Sequence, residues 1–442
     1  MRGQCDDLRA ILMTAILVLV SMTGFVMAAR DIQRGLPVSA QHGDAPWVVS
    51  ATPLAAAVDA GSIGSYNTAA PSPTLTSAPS DVQARSTSGE ETMVPTPTST
   101  PSPTLTHSPT HTPTATHTPT PTPIPKMTLR DDLPAMPLAD WPRPAGDNGW
   151  GMHFLIDAYP SEAEVDLNIQ RMLDMRMKWA VVIYGDEIQL QKLAPRFRDA
   201  GIMVVWRRML RPYDRYYDWE RDIRLLEQMG VPPYMQAYNE PSVSQEWPEG
   251  QSNQVLFLDN LMHACESIYN AGGYVGLQFV SENWLVNAIN EIKKREGDAV
   301  FGRTFFVPHS YGMNHPPNYA EDINTVLSFL RFGEIFQEEI GFVPPMIVGE
   351  GGWKYGATDD GRYPKVTDEL HRDYYVELYN WFRTGVLSSG KPLPDYLFAF
   401  CPWLISHKMD DNAFYDSFAG DRTMTIEAIK GIPPFTRRFS WQ

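Results

Sequence analysis

The sequence predicts a (β/α)₈ barrel preceded by a long N-terminal region without a fold of its own. Three observations carry that expectation. Eight short apolar strand candidates recur from residue 150 onward, amphipathic helical stretches fall between them, and polar and aromatic side chains gather just after the strands rather than inside them. The strand candidates are 150–156, 179–184, 202–206, 234–238, 274–280, 304–307, 346–348 and 396–400. Each is a continuous apolar run rather than an alternating one, as expected of a parallel sheet covered on both faces. A doubly wound open sheet is the competing architecture. No glycine-rich phosphate loop follows the first strand, which weakens a nucleotide-binding version of it.

The helices are read from apolar spacing and from their ends. The stretch 162–175 follows Ser161 as an N-cap. The stretches 190–200 and 222–229 stop at Gly201 and Gly230. Helical spacing is also seen over 253–271, 284–295, 322–340 and 371–386.

Three regions precede or make up the fold. Residues 1–29 contain a twenty-residue apolar run, 10–29, preceded by Arg2 and Arg9. That pattern is a secretory signal peptide or an uncleaved membrane anchor, and either one places the remainder outside the cytoplasm. Residues 30–125 lack sustained periodicity, and 93–125 are rich in Pro, Thr and Ser with no charged side chain. Such a segment cannot bury a core and reads as an extended, semi-rigid spacer, with a reach on the order of 100 Å at about 3.1 Å per residue. Residues 126–442 form the folded unit.

Composition narrows the function classes. The chain has 442 residues, 43% hydrophobic and 20% charged, with a net charge of −16. Residues 1–125 carry −3 of that charge, leaving −13 on the folded part. An acidic fold of this kind argues against a nucleic-acid partner. The three cysteines, Cys5, Cys265 and Cys401, have no spacing of a zinc site or a disulfide framework, and the last two are expected to be buried free thiols. No metal-ligand cluster and no cofactor motif is evident. The 12 Trp and 19 Tyr suit sugar faces, although core packing is the safer default for any one of them.

The chemistry lies at the strand ends, where a barrel carries its functional groups. The fourth strand runs into Asn239-Glu240-Pro241 and the seventh into Gly349-Glu350. Two carboxylates on opposite sides of a barrel mouth can flank a sugar. One serves as acid for a leaving oxygen and the other attacks an anomeric carbon. Glu282, after the fifth strand, is the rival carboxylate, better read as a first-turn helix acid. Other strand ends supply His153, Tyr184, Arg207-Arg208, His309-Ser310-Tyr311 and Trp403.

Asn239-Glu240-Pro241, His309-Ser310-Tyr311, Gly349-Glu350 and Trp403 together resemble the retaining glycoside hydrolases of clan A, the cellulase- and mannanase-type barrels. The resemblance covers roughly residues 146–432. It implies Glu240 as general acid/base, Glu350 as nucleophile, Asn239 and Tyr311 as their supports, and Trp403 as an aromatic platform. His309, His153, Arg208 and Trp353 complete the expected sugar contacts. Members of those families often carry a His-Asn or His-Asp after the third strand; here that position reads Trp206-Arg207-Arg208, with no His. The expected activity is extracellular cleavage of O-glycosidic, β-type bonds in a poly- or oligosaccharide by double displacement, with the two carboxyl groups about 5–5.5 Å apart. The alternative is a non-catalytic carbohydrate-binding or surface-interaction barrel.

Overall fold

The computed structural model describes residues 124–442. The N-terminal apolar run and most of the Pro/Thr/Ser-rich spacer lie outside the described residues. Among the described residues, no helix is long and apolar enough to cross a membrane.

Eight parallel strands form the barrel wall. They are β1 (Gly151–His153), β2 (Trp179–Tyr184), β3 (Met203–Arg208), β4 (Tyr234–Gln236), β5 (Tyr274–Leu277), β6 (Thr304–Phe306), β7 (Met346–Val348) and β8 (Leu397–Phe400). They pair in chain order, and a parallel bridge between Trp150 and Phe400 joins the last strand to the first. The open-sheet alternative is thereby set aside. The helices between and after them are α1 (Glu162–Asp174), α2 (Glu187–Asp199), α3 (Trp219–Gln228), α4 (Gln254–Asn270), α5 (Glu282–Lys294), α6 (Ser328–Ile340), α7 (Asp368–Thr384) and α8 (Thr423–Gly431).

Local chemistry sets the helix starts. Ser161 and Glu164 form a reciprocal capping box on α1. Asp186, Asn253 and Thr367 accept backbone N–H groups at the starts of α2, α4 and α7. The Asp186 cap explains why α2 begins three residues before the expected 190. By contrast, α6 begins at Ser328 rather than 322, because 322–327 is drawn into turns by Thr325, whose hydroxyl donates to the Tyr319 carbonyl.

Two apolar clusters result from the two-residue alternation of the strands. Trp179 and Val181 of β2, Val205 of β3, Tyr234 of β4, Phe305 of β6, Ile347 of β7 and Phe398 of β8 point into the barrel and fill it. Their neighbours, including Ala180, Val182, Trp206, Met235, Phe306 and Val348, face the helical layer. Trp141 and Phe439 pack on the interior cluster from residues before β1 and after α8. Cys265 and Cys401 are buried and free, as expected, and burial pushes the Cys265 thiol up to about 12.

The same alternation decides what reaches the mouth. Val205 points inward, so Arg207 does too, whereas Arg208 points to the helices. Beyond the barrel wall, His309–Tyr311 and Glu350–Gly352 pair as a short parallel ribbon, with His309 opposite Glu350. The strand reading placed these residues in loops.

Candidate active site

Glu240 and Glu350 meet at the barrel mouth, as the spacing of their strands requires. Both are buried, at 8% and 5% exposure. A carboxylate oxygen from each and a ring nitrogen of His309 all lie within 4.8 Å of one another. His309 Nδ1 sits between them, 2.7 Å from Glu240 Oε1 and 3.4 Å from Glu350 Oε2. Expected as a sugar contact, His309 thus bridges the two carboxylates, and its Nε2 is buried without a hydrogen-bond partner.

Glu350 is held from two further sides. Arg207 Nη1 donates to its Oε1 at 2.6 Å, and the Tyr311 hydroxyl donates to its Oε2 at 2.8 Å. Burial, and then the charges of Glu350 and Glu240, hold the Tyr311 phenol well above its ordinary range, so it remains a donor. Among the described residues, Glu240, His309 and Glu350 are the group of three able to share a cation. Their surroundings oppose one, because Arg207 already places a fixed positive charge on Glu350.

Glu240 has a backbone φ of +38°, in the left-handed region where side chains are strained. The strain turns its carboxyl toward the mouth directly after β4, and Pro241 limits the backbone that follows. Its N–H donates to the Gln278 side chain, which follows β5. Asn239 Nδ2 donates to Glu246 at 3.2 Å, and Glu246 in turn accepts from Arg211 at 2.6 Å. Asn239 Oδ1 is buried and unpartnered.

His153, expected as a sugar contact, is instead fully buried, with Nε2 4.0 Å from Glu350 Oε1 and the Trp403 ring tilted at 54° with its centroid 4.3 Å away. Burial, followed by the charge of Arg207, drives its pKa well below 6.5, so the ring is neutral at physiological pH. Trp403 is half-buried and its indole N–H donates to Asp410 at 2.7 Å, which orients the ring at the mouth.

Two further expected sugar contacts are corrected. Arg208 lies over the rings of Tyr216 and Tyr184, at 4.6 and 5.3 Å, beside the buried Asp222 that both hydroxyls contact. Strand alternation turns it to the helical side, and Arg207 takes the inward place. Trp353 is only 1% exposed; its indole N–H donates to the His315 carbonyl and its ring packs on Tyr374 and Tyr375. Trp247 is likewise packed, donating to the Pro241 carbonyl. Glu282 opens α5 and pairs with Arg331 at the surface, as its first-turn reading anticipated. Gln278, Glu246 and Asp410 were missed. Gln278 and Asp410 lie in loops and Glu246 ends a short 3₁₀ turn, and none carries a sequence signal of its partner.

No family model matches the chain, and no curated protein matches it. Solved structures do. A β-glucuronidase from Ruminococcus gnavus in complex with D-glucuronic acid is 11% identical, with a TM-score of 0.38, covering 64% of this chain and 48% of that one. A family 39 glycoside hydrolase from Bacteroides cellulosilyticus is 10% identical, with a TM-score of 0.43, covering 67% and 64%. A monomeric β-xylosidase from Caulobacter crescentus is 12% identical, with a TM-score of 0.42, covering 65% and 69%. This chain spans about half the length of the glucuronidase. The likeness is one of fold.

Proposed function

We propose that the chain is a retaining glycoside hydrolase acting outside the cytoplasm on β-linked poly- or oligosaccharides. The observation that carries this reading is the paired carboxylates, whose oxygens approach within 4.8 Å at the mouth of a parallel barrel. Retaining enzymes hold the two carboxyl groups about 5–5.5 Å apart, whereas inverting enzymes leave about 6.5–9.5 Å for a water molecule. The apolar run at 10–29 and the charge-free spacer support export.

In this mechanism Glu350 attacks the anomeric carbon while Glu240 gives its proton to the departing oxygen. One C–O bond forms to Glu350 and one breaks to the leaving group. Glu240 then takes a proton from water, which releases the sugar from Glu350. Arg207 and Tyr311 stabilise the charge on Glu350 and aim it. His309 keeps the two carboxylates in register and stabilises charge on Glu240 once its proton has gone. Asn239 Oδ1 is free to accept a sugar hydroxyl, and Trp403 offers an apolar face to the ring.

The test is hydrolysis of a panel of β-glucans, mannans, xylans and aryl glycosides by the full chain, with Glu240→Gln beside it. Release of reducing sugar from one class by the parent, reduced about a hundredfold or more in the variant on unactivated substrates, is expected. Equal rates in parent and variant would refute the assignment of Glu240.

A further inference from the structure

A small cavity opens beside Glu240 between the segments that follow β4, β5 and β6. Its walls are Val243, Val280, Met313, Ile323 and Phe332, and its polar atoms belong to Glu240, His309 and Tyr311. Its volume is about 20 Å³, which is the room needed by one water-sized group and far less than a sugar ring requires. The position of this notch is informative. If Glu240 protonates the departing oxygen, the leaving group lies against Glu240, and the notch is part of its binding site. A leaving-group hydroxyl seated there would meet five apolar walls, with little beyond the catalytic groups to bond to. A polar group without a partner is costly, whereas an apolar one is favoured.

We propose that the notch selects substrates whose leaving group carries a methyl-sized apolar substituent, such as a deoxy methyl, an O-methyl or the methyl of an acetyl group. This rests on the hydrolase reading above, and its test separates the two. Phenyl glycosides and their 3- and 4-methylphenyl counterparts have leaving groups of nearly equal acidity and differ by one methyl. With the full chain and the glycone found in the panel, one methylphenyl glycoside is expected to exceed the phenyl glycoside in kcat/KM by about fourfold, the worth of one buried methylene. Ile323→Phe, which fills the notch, and Val243→Thr, which makes its wall polar at constant shape, are each expected to bring the ratio toward one.

Binding of free phenol and of the two cresols, followed by NMR shifts in parent and variants, reads the notch without turnover. A cresol preference that both variants abolish supports the proposal. Turnover with equal rates for the phenyl and methylphenyl glycosides would overturn the notch and leave the hydrolase reading standing. A cresol preference in a chain that hydrolyses nothing would overturn the hydrolase reading and the leaving-group role with it, leaving only a methyl-binding notch. Equal binding of phenol and cresols with no turnover would remove both.

Discussion

His309 and Glu350 stand directly opposite each other in a parallel ribbon outside the barrel wall, with His309 Nδ1 3.4 Å from Glu350 Oε2. That register brings groups from the β6 and β7 ends side by side and leaves Glu240 to complete the site from β4. The ribbon depends on two glycines. A side chain at Gly351 would meet the Ser310 carbonyl at 2.2 Å, and one at Gly352 would meet the Tyr375 hydroxyl at 2.0 Å. Gly351 has φ +149° and Gly352 has φ +85°, both disfavoured for other residues.

Gly351→Ala is therefore expected to displace Glu350 and to lower kcat by roughly a hundredfold, the cost of about 1 Å of misplacement. Steady-state kinetics on an aryl glycoside, beside a melting curve to separate misplacement from unfolding, would show it.

Arg207 and Arg208 are adjacent and face opposite ways. Arg207→Met removes a charged donor from Glu350 and is expected to lower kcat/KM about 10- to 100-fold, from the worth of a hydrogen bond to a charged group. Arg208→Met is expected to change kcat/KM little and to affect melting instead, through loss of its packing on Tyr184 and Tyr216. Kinetics and melting of the pair are the check; a larger kinetic effect at Arg208 would reverse the assignment.

Tyr311→Phe deletes one donor to Glu350 with little change of shape. The expected loss is about tenfold in kcat at an unaltered fold. Burial and the two glutamate charges hold the parent phenol protonated well above pH 10. Tyr311 should then contribute no alkaline limb to the pH–rate profile below pH 10, which a rate titration can read.

Stability should fall on acidification through two buried histidines. Burial lowers the pKa of His153 well below 6.5, and burial with the nearby Arg422 lowers that of His371 to about 3. Below pH 6.5 the unfolded chain binds protons at these sites and the folded chain does not, so each histidine removes stability as pH falls, until the folded pKa is reached. The slope is about 1.4 kcal/mol per pH unit per histidine. Urea unfolding at pH 7, 6 and 5 should show it, and His371→Asn should remove one histidine's share.

Much of this was legible in the sequence, and the limits are physical. β2 and β7 are legible to the residue, because each is an uninterrupted apolar run with clear stops, Lys178 and Gly185 around β2 and Pro345 and Gly349 around β7. Glu240 and Glu350 are legible because each lies just beyond a strand candidate, after Asn239 and Gly349 respectively. Strand ends are less so: apolar character in the fourth strand continues to Tyr238, whereas its pairing with β5 ends at Gln236. The choice between Arg207 and Arg208 could have been read by counting alternate residues from Val205. The burial of Trp353 and the Gln278 contact to Glu240 could not, because both depend on loops that meet only in three dimensions.

The central claim is that Glu350 is the nucleophile of a double displacement. The most direct measurement is Glu350→Ala with an activated aryl glycoside of the glycone found in the panel, with and without azide. The account predicts that the variant is inactive alone, that azide restores turnover, and that the product is a glycosyl azide of anomeric configuration opposite to the substrate, because azide enters from the face Glu350 has vacated. Undiminished hydrolysis by the variant without azide, or parent hydrolysis with inversion at the anomeric carbon, would contradict it.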